Sequence, residues 1–154
     1  MNETHRFSVS VAAAVVRADG KVLAIQRRDN DHWEPPGGVL EHGEEILDGL
    51  VREVKEETGY TVKPGPLTGI YQNMQRDIFS LVFRCDASGG QTRLSDESKR
   101  VEWLEPDEVT NLMSEAYAVR LLDAIGNGIP PRIRTHDGSV VLQQGVTGIS
   151  GPDS

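Results

Sequence analysis

Three glutamates in the sequence have a type and spacing that could bind a divalent cation. Separations of three and four residues put Glu53, Glu56 and Glu57 on one face of a helix, at the edge of its apolar side. Like charges within one turn repel each other, and the helix dipole disfavours anions near the C-terminus. Mg²⁺ and Mn²⁺ prefer oxygen ligands, so a bound cation would explain the cluster. A solvated acidic face is the alternative.

The helix that must carry these glutamates is predicted over residues 44–58. Its apolar positions recur with helical periodicity, at Leu47, Leu50, Val51, Val54 and Thr58. Gly59 is the expected C-terminal stop. Gly49 falls on the acidic side, where the absence of a side chain would leave room for an ion or a substrate.

The glutamates belong to a longer pattern that starts at Gly38. Its further fixed positions are Glu44, Arg52, Glu53, Glu56, Glu57 and Gly59. This resembles the signature of the Nudix hydrolase family, Gly-X5-Glu-X7-Arg-Glu-aliphatic-X-Glu-Glu-X-Gly-aliphatic, with Tyr60 in the last aliphatic position. Residues 23–28, 33–38 and 103–109 are similar to the MutT-like branch, and the resemblance covers roughly residues 8–125.

The resemblance implies a fold, an enzyme class and a cofactor. The expected fold is an α+β protein in the form of an α/β/α sandwich, with a mixed β-sheet between helices. The expected reaction is hydrolysis of a phosphoanhydride in a nucleoside diphosphate linked to another moiety, with Mg²⁺ or Mn²⁺. The expected metal ligands are the Gly38 carbonyl, Glu53, Glu56 and Glu57.

The resemblance also suggests the catalytic residues. Glu53 is either a ligand or the base that deprotonates water, and Arg52 is expected to orient a neighbouring glutamate. Glu97 is the candidate for a further acid from a later loop, and Glu102 is its rival. Glu44 is expected to anchor the loop and the start of the helix.

Substrate-binding candidates lie upstream and downstream of the signature. Arg27 and Arg28 end the second predicted strand, and one of them could clamp phosphate. Because side chains alternate along a strand, only one of the two can face the site. Trp33 and Phe79 could stack on a nucleobase, although core packing would explain them equally well.

The substrate itself is predicted by elimination. The downstream proline typical of ADP-ribose hydrolases is absent, and Gln75 and Arg76 occupy that region. The marks of the dinucleoside polyphosphate, coenzyme A and NADH branches are also missing. This favours a (deoxy)nucleoside triphosphate pyrophosphohydrolase, with ADP-ribose or another nucleotide sugar as the alternative. A non-catalytic Nudix-like nucleotide sensor is the alternative from a different class.

The remaining elements are predicted from apolar runs and turn residues. A β-hairpin is expected from residues 9–16 and 21–26 around Asp19-Gly20, and Pro64-Gly65-Pro66 is expected to be a loop. Further strands are predicted at 67–71, 78–83 and 101–104, with a loop at 88–98, helices at 106–112 and 115–125, and a late strand with a turn within 132–142. Residues 1–142 are therefore expected to form one domain, followed by a flexible tail at 143–154.

Composition restricts the possible partners. The chain has 154 residues and a formal charge of −8, which argues against a nucleic-acid polymer as partner but allows an anionic nucleotide bound through a cation. Cys85 is the only cysteine, so no intrachain disulfide is possible and the cytoplasm is the expected compartment. The apolar run at 9–16 is too short to span a bilayer. A homodimer through residues 132–142 is possible.

Overall fold

The computed structural model describes residues 5–126 and 130–146 of the chain. Within these residues the elements follow one another as β1 (Ser8–Val15), β2 (Val22–Arg27), β3 (Trp33–Glu34), β4 (Gly37–Val39), α1 (Ile46–Thr58), β5 (Tyr60–Asn73), β6 (Ile78–Gly90), β7 (Ser98–Leu104), α2 (Pro106–Leu112), α3 (Glu115–Ile125), β8 (Arg132–His136) and β9 (Val141–Val146).

The strands of the described residues form two sheets. The larger sheet has the order β4-β1-β6-β5-β8-β9 and is mixed, because β1 pairs with β6 and β5 pairs with β8 in parallel, while its other pairs are antiparallel. The smaller sheet, β3-β2-β7, is antiparallel. The predicted mixed sheet is confirmed.

Two apolar clusters cover opposite faces of β1. Val11, Ala13 and Val15 share one cluster with Leu50 and Val54 of α1. The alternate residues of β1 share the other cluster with α2 and α3, through Ala12, Ala14, Val109, Leu121 and Ala124. Because successive side chains of a strand point to opposite faces, this alternation places helices on both sides of the sheet. The α/β/α sandwich predicted from the resemblance is confirmed.

The predicted hairpin between the first two strands is wrong in its pairing. The turn forms as expected, with Gly20 at φ +90° and the Arg17 amide donating to the Lys21 carbonyl over 2.8 Å. Only one bridge, between Val16 and Val22, follows the turn. Both edges of β1 are occupied by β4 and β6, so β2 leaves for the smaller sheet.

Two predicted loops are shorter than expected. Residues 64–66 lie inside β5, where the register with β6 shifts between Pro64 and Leu67. A strand tolerates proline at such a bulge because ladder hydrogen bonds are interrupted there. The predicted loop at 88–98 also shortens, since β6 continues to Gly90 and β7 begins at Ser98.

The C-terminal half follows the sequence pattern more closely. Helices α2 and α3 occupy the predicted ranges, and Gly138, at φ +100°, lies in the turn between β8 and β9. Strand β9 extends to Val146, so the predicted tail at 143–154 begins within a strand; residues 147–154 lie outside the described residues. In the described ranges no helix has the length and apolarity needed to cross a membrane.

Candidate active site

Helix α1 carries the glutamates and is fixed to the core by its apolar side. It begins after Glu45 and ends at Gly59, whose φ of 86° is left-handed and suits glycine. Leu50 and Val54 are fully buried, and each such burial contributes about 1.5–3 kcal/mol. Leu47 does not belong to this side as predicted, because it is 47% exposed at the beginning of the helix.

Glu57 is the most buried of the three glutamates, with 7% of its surface exposed. The Gly37 amide donates a hydrogen bond of 2.7 Å to its Oε1 atom. Burial raises the pKa of Glu57 to about 8, and the charges of Glu53, Glu34 and Glu97 act in the same direction. A negative group in these surroundings is stabilised by a cation.

The loop backbone approaches Glu53 closely at Gly38. A Cβ atom on Gly38 would overlap the Glu53 carboxylate, so any side chain here would displace that carboxylate from its position. Burial raises the pKa of Glu53, while the neighbouring Arg52 opposes that effect. The side-chain-free position therefore brings the loop backbone and the Glu53 carboxylate together along one cleft.

Arg52 contacts three carboxylates of the signature. Its Nε and Nη2 atoms donate to both oxygens of Glu44 over 2.6 and 3.0 Å. Its Nη1 atom lies 3.0 Å from Glu53 and 3.1 Å from Glu56. Glu44 also accepts from the Glu41 amide, and these bonds, Arg52 first, lower its pKa to about 2. Glu44 thus anchors the loop to α1, as the sequence predicts.

Gly49 has a different role from the one expected. A Cβ atom there would overlap Leu40 and the Glu44 carboxylate. The glycine therefore lets the signature loop pack on the helix, and the space that its missing side chain leaves is filled by protein.

An acidic cleft of about 520 Å³ lies between α1 and the loop before it. It is lined by Arg27, Gly37, Gly38, Val39, Leu40, Glu41, His42, Glu53, Glu57 and Glu97. Glu56 is not among these residues, since its side chain is 55% exposed and paired with Arg52. Glu102 does not line this cleft either; it lies on β7 in a shallow cleft that also contains Trp33.

The acidic cleft has the donor chemistry for a hard divalent cation. Its ligand groups are carboxylate and carbonyl oxygens, which Mg²⁺ and Mn²⁺ prefer. Burial raises the pKa values of Glu53 and Glu57, so a cation would replace the solvation that their charged forms lack, and the Gly38 backbone borders the same space. In residues 5–126 and 130–146 no three His, Cys, Asp or Glu side chains already converge as a metal site. The oxygen groups that line the cleft fit such a cation chemically.

A second cleft, of about 210 Å³, adjoins the acidic one. The two clefts share Arg27, Gly37, Gly38 and Val39. The polar and aromatic residues found only in the second cleft are Ser10, Glu34, Asn73, Arg76, Ser80, Tyr117 and Arg120. A substrate with phosphates in the acidic cleft can therefore extend its remaining part into this polar cleft.

The two arginines differ in place from the prediction, since Arg27 is the last residue of β2 and Arg28 lies in the turn after it. Arg27 lines both clefts and bonds to Asp29 over 2.7 and 2.9 Å and to Glu34 over 3.4 Å. Arg28 points elsewhere, and its Nε atom donates to the Ser95 carbonyl over 3.0 Å. Of the two predicted phosphate contacts, only Arg27 is brought to the clefts.

The predicted stacking residues lie outside both clefts. On β6, Ile78 and Ser80 line the polar cleft, so the intervening Phe79 faces the opposite side and contacts the ring of Phe7 at 5.3 Å. On β3, Glu34 lines the polar cleft, so Trp33 points away and packs against the cluster of α2 and α3. The structure does not bring Trp33 and Phe79 to the clefts.

Several residues of the polar cleft were missed by the sequence analysis. For one of them the sequence carries a signal: Arg120 falls on the apolar side of α3, three residues after Tyr117 and four before Ala124. A charged residue at a core position of a helix suggests a special role. Glu34 and Ser80 carried no such signal, since polar residues often occur in strands.

Comparison with known proteins identifies relatives of this chain. A family model described as the NUDIX domain matches residues 6–124. The chain is 55% identical over 138 residues to a MutT-like protein of Streptomyces ambofaciens, covering 90% of this chain and 89% of that protein. It is 34% identical over 105 residues to an ADP-ribose pyrophosphatase of Methanocaldococcus jannaschii, covering 64% and 62%. The solved MutT protein of Bacillus halodurans has a TM-score of 0.69 and 27% identity, covering 94% of this chain and 100% of that one.

Proposed function

Because this chain belongs to the Nudix hydrolase family, whose members are enzymes that act on phosphorus-containing anhydrides of nucleotides, we propose that it hydrolyses a (deoxy)nucleoside triphosphate to the monophosphate and pyrophosphate. The observation that carries the proposal is the union of the two clefts. Carboxylates line one of them, the other is small and polar, and Arg27 borders both.

The acidic cleft would hold the triphosphate through a divalent cation, as Nudix hydrolases generally do. Glu53, Glu57 and the Gly38 carbonyl are the proposed ligands that border this cleft. Glu56 is the further proposed ligand, and it would have to exchange Arg52 for the cation. A bound Mg²⁺ or Mn²⁺ would neutralise phosphate charge and lower the pKa of water.

The protein's own groups would align the water and take its proton. In the proposed step a water oxygen bonds to phosphorus, the bridging P–O bond breaks, and pyrophosphate leaves. Glu53 or Glu97 accepts the water proton, since both border the cleft. Arg27 would hold the phosphates through its guanidinium, for which Glu34 and Asp29 fix the position.

The second candidate substrate is ADP-ribose or another nucleotide sugar. The name of the archaeal relative, ADP-ribose pyrophosphatase, favours it. The two substrates give different products, because a triphosphate releases pyrophosphate while ADP-ribose releases AMP and ribose phosphate.

A substrate panel tests both candidates. Purified protein is incubated with nucleoside triphosphates, nucleotide sugars and dinucleotides, with Mg²⁺ or Mn²⁺ and with EDTA, and products are separated by ion-exchange chromatography. We expect metal-dependent pyrophosphate release from triphosphates and none with EDTA. Turnover of ADP-ribose alone would replace the first candidate by the second, and no turnover of any nucleotide would refute both.

A further inference from the structure

The guanidinium of Arg120 is buried without a carboxylate partner among the described residues. The residue is 7% exposed, and its guanidinium lies 5.5 Å from the ring centre of Tyr71 and 4.5 Å from that of Tyr117. Its Nε atom has no hydrogen-bond partner. In the described part of the chain Arg120 forms no ion pair within 4.0 Å. Buried charges in proteins are normally paired, so this one requires an explanation.

Among the described residues, the one polar contact of Arg120 is with His136, and this contact does not supply an acceptor. Arg120 Nη2 lies 3.4 Å from His136 Nε2, while the Gly138 amide donates to His136 Nδ1 over 2.9 Å. Burial, and then the charge of Arg120, lower the pKa of His136 to about 4, so the ring is neutral at neutral pH. A neutral imidazole has one acceptor nitrogen. The shorter bond assigns that nitrogen to Gly138, and Nε2–H then faces Arg120 as a second donor.

The opposite tautomer does not resolve the conflict. If Nε2 accepted from Arg120, the Nδ1–H group would face the Gly138 amide, which would lose its acceptor. In either case a donor is left over at this position. The arrangement therefore lacks a hydrogen-bond acceptor.

Arg120 borders the polar cleft together with Glu34. Arg120 offers donors, and the Glu34 carboxylate offers acceptors in the same cleft. Glu34 would repel a second phosphate group, and the Tyr117 ring gives the cleft an aromatic surface. A neutral ring with a carbonyl oxygen and N–H groups matches these walls better than an anion does.

We propose that Arg120 binds the keto oxygen of the substrate's nucleobase and thereby selects guanine and thymine or uracil over adenine and cytosine. This inference rests on the proposed function. Guanine presents O6 and N7 as paired acceptors for a guanidinium, and thymine presents O4. Adenine and cytosine carry an amino donor in the corresponding place, which would meet the donors of Arg120. Arg120 is thus a specificity-determining residue.

The test compares Arg120→Met and Arg120→Lys with the wild type on dGTP, dTTP, dATP and dCTP. We expect the wild type to favour the keto bases by about tenfold or more in kcat/KM, chiefly through KM. In Arg120→Met this preference should fall to within about twofold, because kcat/KM falls more for dGTP and dTTP than for dATP and dCTP. Arg120→Lys keeps the positive charge but not the planar guanidinium, so its base preference should lie between those of the wild type and Arg120→Met.

Arg84→Met is the matched control, because Arg84 also contacts α3, through the Ala124 carbonyl over 3.0 Å, but borders neither cleft. It should keep the base preference. The proposal would be overturned if Arg120→Met lowered kcat/KM equally for all four substrates, or if the wild type showed no base preference. Weaker inhibition by inorganic phosphate with an unchanged base preference would assign Arg120 to an oxyanion and refute it as well.

A binding measurement separates this inference from the proposed function. Calorimetry with dGMP and dAMP needs no turnover, so it applies even if no triphosphate is hydrolysed. Tighter binding of dGMP by the wild type, lost in Arg120→Met, supports the role of Arg120 whatever reaction follows. Equal binding of the two monophosphates by the wild type contradicts it.

Discussion

Glu57 should make the stability of the metal-free protein depend on pH. It is 7% exposed, and burial raises its pKa to about 8 from the ordinary value of 4.5. Replacement by Gln removes the charge but keeps an oxygen that can accept the 2.7 Å hydrogen bond from the Gly37 amide. The variant therefore isolates the cost of the buried charge.

The sign follows from the pKa in the two states. Between pH 4.5 and about 8 the folded protein retains a proton on Glu57 that the unfolded chain has lost. The stability supplied by that proton is fully present below pH 4.5 and is lost as the pH rises through about 8. At about 1.4 kcal/mol per pKa unit, the complete loss is up to about 5 kcal/mol.

The assay is urea unfolding with EDTA at pH 5, 7 and 9, followed by circular dichroism. Relative to the wild type, Glu57→Gln should gain stability as the pH rises, with the largest gain at pH 9. Adding Mg²⁺ at pH 9 should stabilise the wild type more than the variant, because the cation compensates the carboxylate. Glu102→Gln, which replaces an exposed residue, is the control, and its free energy of unfolding should change with pH as that of the wild type does. If the free energy of unfolding of Glu57→Gln also changes with pH as that of the wild type does, the buried charge of Glu57 does not destabilise the protein.

The remaining predictions concern the acidic cleft. Glu97→Gln should lower kcat by about 10²-fold or more if Glu97 is the base, whereas Glu102→Gln should leave kcat unchanged; steady-state kinetics distinguish them, and equal effects would contradict the choice of Glu97. Gly38→Ala should displace the Glu53 carboxylate, weakening Mg²⁺ binding in a calorimetric titration by about tenfold or more; an unchanged affinity would show that the close approach is unimportant. Arg52→Lys should lower the melting temperature, because it cannot keep the two-pronged bond to Glu44, and an unchanged melting curve would contradict this.

The sequence predicted the elements whose residues act locally. The periodicity of α1 and its glycine stop depend on neighbours within a few positions, and the helix formed at Ile46–Thr58. The hairpin at Asp19-Gly20 failed because its pairing depends on distant strands. The turn formed as expected, but β6 and β4 compete for the edges of β1, and this competition is not encoded near the turn.

The residues of the clefts also divide into those that local spacing predicts and those that depend on distant parts of the chain. The spacing within one helix predicts that Glu53 and Glu57 share a face, and both line the acidic cleft. For β6, the sequence does not tell which face of the strand borders a cleft, so it cannot distinguish Ser80, which lines the polar cleft, from Phe79, which does not. The prediction for Trp33 and Phe79 rests on residue type, which does not indicate the direction of a side chain. Arg120 could have been found, because a guanidinium on the buried side of α3 conflicts with the pattern around it.

The contacts of Arg52 explain how the acidic helix is tolerated without a cation. Glu44, Glu53 and Glu56 all contact this one guanidinium, which reduces their mutual repulsion. Glu44 holds Arg52 by two hydrogen bonds, whereas Glu53 and Glu56 share the Nη1 atom. A cation would therefore compete for the two glutamates that Arg52 holds less firmly, and the bond to Glu44 would keep the guanidinium beside them. We therefore expect the signature arginine to act as a substitute charge that gives up Glu53 and Glu56 when a metal ion binds.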